Sequence, residues 1–190
     1  MTASASSTVS VLTLADIDID SARALLARRD LALIFVCAEA AIPGSYWGVP
    51  EAGVIGATVY ARADTPVHSL LHEACHLIVA PAAKRASIHT DASDSQAEED
   101  ATCYLQILLA DELADVGRDR LMTDMDRWGY SFRLGSAHAW FDRDAEDARA
   151  WLAQRALLPP IVQARAGPDA IRRDDHEMRC QAWYMRSPRQ

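Results

Sequence analysis

Pro66 and Pro81 bracket the stretch of this chain with the least conformational choice. A proline at the first helical position sacrifices no helical hydrogen bond, and Thr65 just before it supplies an N-cap hydroxyl. At the other end, the residue preceding Pro81 is pushed out of helical geometry. The sequence therefore predicts a helix from Thr65 to about Ala80, with Leu70, Leu71, Leu77 and Ile78 giving it apolar surface to bury. Inside that helix lies His72-Glu73-Ala74-Cys75-His76.

Residues four apart share one helix face, so His72 and His76 can aim one ring nitrogen each at a common point. Imidazole suits zinc, and a catalytic zinc takes three protein ligands with the fourth position left to water. Glu73 is placed to act as general base on that water. The chemistry implied is hydrolysis, with His72 and His76 as metal ligands, Glu73 as catalytic base and Zn2+ as cofactor.

A third ligand must come from elsewhere, and Asp91, Asp94, Glu98, Glu99, Asp100, His89 and Cys103 are all near enough in sequence. Ser95 opens a second helical pattern that extends to about Val116. From Glu98, the positions on its own face are mostly apolar: Ala101, Thr102, Leu105, Leu108 and Leu109. From Glu99 they are more polar: Thr102, Cys103, Gln106 and Ala110. Apolar faces pack inward, so Glu98 is the expected ligand and Glu99 the next carboxylate choice. Ser95-Gln-Ala-Glu98 also reads as a capping box, in which Glu98 would bond back to the Ser95 amide. His68, one turn before His72, reads as a first-turn residue partly open to water, with a ligand or supporting role as the other options. Cys75 and Cys103 read as small buried hydrophobes. His176-Glu177-Met178-Arg179-Cys180 imitates half of the motif but lies in a charged tail without an apolar face.

The rest of the chain gives an α+β order: a small early sheet, then helices. Asp20 reads as the cap of a short helix to Arg29, and Leu31–Cys37 and Val54–Ala61 read as strands, with a Gly/Pro loop between them from Ile42 to Gly53. Helices are expected near Asp119–Trp128 and Asp142–Leu158, with Phe132–Phe141 irregular or extended. Residues 1–10 are Ser/Thr/Ala-rich and read as disordered. Pro159-Pro160 ends the last helix and begins a C-terminal extension, 159–190.

Charge narrows the partners. The net charge is −8, and residues 91–126 carry eleven carboxylates against few cations. Such a surface repels phosphate backbones, so no nucleic-acid partner is expected. The mildly basic tail from Ile161 reads as a solvated face. No stretch is apolar and long enough to span a bilayer, and no export signal is legible, so the expected location is the cytoplasm with its four cysteines reduced.

Three stretches resemble the ImmA/IrrE family of bacterial zinc metallopeptidases. Gly53-Val-Ile-Gly-Ala-Thr-Val-Tyr60 is similar to the strand before that family's active-site helix. Ser69-Leu-Leu-His-Glu-Ala-Cys-His-Leu-Ile-Val79 is similar to its zinc helix. Glu98-Glu-Asp-Ala-Thr-Cys-Tyr-Leu-Gln-Ile-Leu-Leu109 is similar to its segment E-x-x-A-x-x-F-A-x-x-L-L. The resemblance covers roughly residues 53–110. It departs at Cys75, where the family often has glycine, at Thr102, at Tyr104-Leu105 and at Ala110. It implies a zincin-like fold over residues 11–158, with the sheet packed on the active-site helix and on a glutamate-bearing helix, and a mainly helical C-terminal part. It also implies His72, His76 and Glu98 as ligands, Glu73 as base, and limited proteolysis of a protein, often a repressor. The expected partner is thus a protein or peptide substrate.

Peptide cleavage needs a further donor for the developing oxyanion, and Tyr46, Tyr104, Tyr130 and His138 are the candidates. A second reading is a catalytically inactive zincin-fold protein that binds a partner through its acidic surface and its late helices. A third is peptide deformylase, which uses the same histidine motif with an upstream cysteine; here Cys37 lacks the glycine that should precede it.

Overall fold

The structure is a computed structural model that describes residues 10–90 and 95–158. The expected disordered N-terminus, Ser10 apart, the C-terminal extension 159–190, and Asp91 and Asp94 lie outside the described residues.

Asp18, not Asp20, starts the first helix. Its carboxylate accepts from the Asp20 amide at 3.0 Å, and α1 runs Ile19–Ala27 with Leu25 and Leu26 on its buried side. The apolar run after it gives β1, Ala32–Phe35. The run expected as one strand from Val54 to Ala61 splits at Gly56-Ala57 into β2, Gly53–Ile55, and β3, Thr58–Ala61. Gly56 is left-handed (φ +60°), so the chain doubles back there instead of extending. The three strands form one sheet in the order β1-β3-β2, with β1 parallel and β2 antiparallel to β3. Val54, Val59 and Ala61 are fully buried, and β2 and β3 lie against the next helix.

That helix, α2, runs Val67–Val79 between the two prolines. Its cap is Pro66; the Thr65 hydroxyl instead accepts from the Arg62 amide and closes the preceding turn. The start of α2 is held by the N-terminal segment: the Val67 amide donates to the Leu12 carbonyl, and the Leu12 amide to buried Asp124. Every residue of α2 is buried except Glu73.

A short helix, α3 (Ala82–Arg85), occupies part of the expected polar connection. Ser95 then caps α4, Gln96–Ala110, through the Glu98 amide. From Ala101 to Ala110 α4 is buried on all sides, because α2, α5 (Arg118–Trp128) and α7 (Glu146–Gln154) surround it. The stretch expected as extended around 132–141 contains α6, Ala137–Arg143, capped by Ser136. The architecture is α+β and mostly helical, with a small sheet on one side of the α2–α4 pair. Among the described residues, no helix is long and apolar enough to cross a membrane.

Candidate metal centre

The two histidines are brought together by helix geometry alone. His72 Nε2 and His76 Nε2 lie 3.0 Å apart, and each residue is only 8% exposed. The carboxylate that joins them is Glu99: its oxygens stand 3.2 Å from His72 Nε2 and 3.5 Å from His76 Nε2. Glu98, the expected ligand, is directed elsewhere. It lines a cavity of about 400 Å³ with Ile78, Pro81, Arg85, Trp151 and Arg155.

The correction has a physical cause. An apolar face marks the inward side of a helix only when the rest of the helix meets water. With α4 buried all round, apolar residues line several of its sides and cannot choose between neighbours. What α2 offers is a pair of imidazoles, and the polar stripe of α4 answers it. Gln106 Oε1 meets His72 Nδ1 at 3.0 Å, and Thr102 Oγ1 lies 3.4 Å from His76 Nδ1. Glu99, Thr102 and Gln106 recur at helical spacing on one face. Gln106 is itself oriented, donating to Met125 Sδ at 3.1 Å.

Those outer contacts turn both imidazoles so that Nε2 points inward. For His72, with the Nδ1 proton donated to Gln106, Nε2 presents a lone pair. Donor atoms of His72, His76 and Glu99 all fall within 4.8 Å of one another, so the group can hold a metal ion. Metal–ligand legs of about 2.0–2.1 Å at a tetrahedral angle separate donors by about 3.3–3.4 Å. The two ring nitrogens stand 3.0 Å apart, and the nearest carboxylate contacts, 3.2 Å for Oε1 to His72 and 3.5 Å for Oε2 to His76, are of the same order.

Electrostatics agree with a cation-seeking site. Burial works against charge on His72, and the Glu99 carboxylate beside it favours charge. Burial and the charge on His72 push His76 down to about 3. Two ring nitrogens 3.0 Å apart cannot both point an N–H at the other. A divalent cation would satisfy all three donors at once. Burial also pushes the Cys103 thiol up to about 11, so Cys103 beside His72 is a neutral thiol.

The remaining expectations divide. Glu73, next to His72 in sequence, is the single partly exposed residue of α2. Tyr130 alone among the four oxyanion candidates is at the site: its ring is 5.9 Å from that of His72. Tyr46 lies on an exposed loop, Tyr104 stacks on Phe141, and His138 faces Asp119 at 3.8 Å. His68 is not a water-exposed first-turn residue. It is buried against Trp128 and Tyr130, with neither ring nitrogen hydrogen-bonded among the described residues. Gly129 makes this possible: its left-handed backbone (φ +106°) ends α5 and carries the chain from Trp128 to Tyr130 around the His68 ring.

Glu51 and Trp128 carried no sequence signal for the site. The indole Nε1 of Trp128 donates to Glu51 Oε1 at 3.1 Å, and the Glu51 carboxylate is close enough to His72 to feel its charge. They come from a loop and a helix far apart in the chain, and only tertiary packing joins them.

No family model matches this chain. Neither the curated proteins nor the solved structures give a match.

Proposed function

We propose that His72, His76 and Glu99 hold a zinc ion in a zincin-like site and that the protein hydrolyses peptide bonds, with Glu73 as general base. The observation that carries this reading is that His72 and His76 on α2 and Glu99 on α4 bring donor atoms within 4.8 Å of one another. The His-Glu-x-x-His order supports the choice of hydrolysis, since it sets a carboxylate beside the two ligands. The resemblance to ImmA/IrrE metallopeptidases points the same way, with the third ligand moved from Glu98 to its neighbour Glu99.

Zinc at such a site supplies Lewis acidity and lowers the pKa of water towards ~7. The protein supplies the rest. Glu73, open to solvent, accepts the proton of the attacking water and returns it to the departing amine. Gln106 and Thr102 hold the imidazoles in one tautomer and orientation. Tyr130 is the donor at hand for charge developing on the carbonyl oxygen; burial raises its pKa above the usual phenol value, so it keeps its proton.

The experiment is metal analysis of the purified protein joined to a peptide-pool assay of wild type, Glu73→Gln and Glu99→Ala. One zinc per chain and cleavage abolished by Glu73→Gln with the metal retained are expected. A wild type that binds no divalent metal removes the site. A zinc-loaded wild type that leaves every peptide intact points instead to a partner-binding protein on the same scaffold.

A further inference from the structure

The loop between β1 and β2 is pinned over the first turns of α2, and it carries a carboxylate with unused hydrogen-bonding capacity. Its path is fixed by backbone contact. A Cβ at Gly44 or Gly53 would collide with the opposing loop and strand backbone, and Gly44 is also left-handed (φ +70°). Ser45 Oγ bonds both the amide and the carbonyl of Gly48, and the Glu51 amide donates to the Gly48 carbonyl. The Ala52 amide then donates to Ser69 Oγ at 3.0 Å in a buried contact. Ser69 lies one residue past His68 and three before His72, so Glu51 is set beside the metal-binding face of α2.

Glu51 is partly buried, and one neutral donor, the Trp128 indole, meets Oε1. Among the described residues Oε2 has no partner and no lysine or arginine pairs with the side chain. Burial raises the carboxyl pKa, against the pull of the indole and of His72. A carboxylate in that setting is under-compensated, and a cation would compensate it. The same loop exposes Tyr46, Trp47 and Val49, each about half open to solvent, with the two aromatic rings in edge contact at 4.8 Å. The net charge of −8 draws positive ligands towards the molecule.

We infer that Glu51, held by Trp128, is a recognition site for a cationic group of the peptide substrate. That group is the free amino terminus or the side chain of a lysine or arginine near the scissile bond. The inference rests on the peptidase reading for its substrate class, but its test is a binding measurement and does not require turnover.

The probe is a set of fluorescent peptides in which one lysine is moved along a neutral sequence. Each peptide is paired with its norleucine counterpart and made with a free or an acetylated amino terminus. Binding is measured to the zinc-loaded Glu73→Gln protein, with and without Glu51→Gln. At least one cationic position is expected to bind about tenfold to a hundredfold tighter than its neutral counterpart, the size of a charge-assisted hydrogen bond. Glu51→Gln should reduce the preference to about threefold or less with zinc content unchanged. The acetylated arms decide between amino terminus and side chain. Equal binding of charged and neutral peptides, no binding of any peptide, or a preference that survives Glu51→Gln overturns the inference. Loss of the peptidase reading looks different: the charge preference is present, but wild type cleaves none of the peptides.

Discussion

At the scale of single residues, the site turns on one step of helical phase. Glu98 and Glu99 are adjacent and chemically identical, yet 100° of rotation sends one to a surface cavity and the other to the histidine pair. Glu99→Ala should weaken zinc binding by two orders of magnitude or more, whereas Glu98→Ala should change it less than about threefold. Competition against a chromophoric chelator reads both. Gln106→Leu should cost about tenfold to a hundredfold, because His72 then loses the acceptor that fixes its tautomer. A Glu98→Ala loss as large as that of Glu99→Ala would return the ligand to position 98.

His68 yields a prediction of a different kind. Burial, then the charge on His72, lowers its pKa to about 3 from an ordinary 6.5. In that window the unfolded chain takes up a proton that the folded chain refuses. Proton linkage at this ring therefore adds no cost above pH ~6.5, and stability falls as the pH drops from there towards 3, with a limiting slope of about 1.4 kcal/mol per pH unit. Urea titrations in chelator at several pH values should show a shallower acid limb for His68→Phe than for wild type.

At the scale of elements, α4 explains what the sequence misled about. A helix with one wet face declares its orientation by its apolar stripe. A helix enclosed by α2, α5 and α7 declares it by where its few polar groups find partners, and Glu99, Thr102 and Gln106 find theirs on α2. Leu109, 1% exposed on this helix, should cost about 2–5 kcal/mol when cut to alanine, measured by urea unfolding. Ser69→Ala leaves the buried Ala52 amide without its acceptor and should cost about 1–3 kcal/mol. It should also loosen the Glu51 loop, which increased protease nicking between residues 43 and 52 would report. Other misreadings were local. Gly56-Ala57 interrupted an apolar run that looked like one strand, and the Ser136 cap started α6 in a stretch that looked extended.

At the scale of the whole molecule, the site is a staple between two halves of the core. His72 and His76 belong to the helix that lies on the sheet, and Glu99 belongs to the helix that packs on α5 and α7. An ion held between them would bind the folded chain and not the unfolded one. At a thousandfold excess over its dissociation constant it adds about 4 kcal/mol. Chelator should therefore lower the thermal midpoint of wild type by several degrees, and it should leave that of Glu99→Ala nearly unmoved. Equal sensitivity in the two proteins would mean that the stabilising ion sits elsewhere.

The sequence by itself determined the α2 helix, its proline limits and the histidine pair on one face of it, because these depend only on local geometry. It also determined that a small sheet precedes a mostly helical remainder. Only the tertiary structure decided which glutamate meets the histidines, which of four oxyanion candidates stands beside them, and that a loop carboxylate and a distant tryptophan join them. Those choices depend on how helices are rotated against one another and on chain segments far apart in sequence. No periodicity within a single element carries that information.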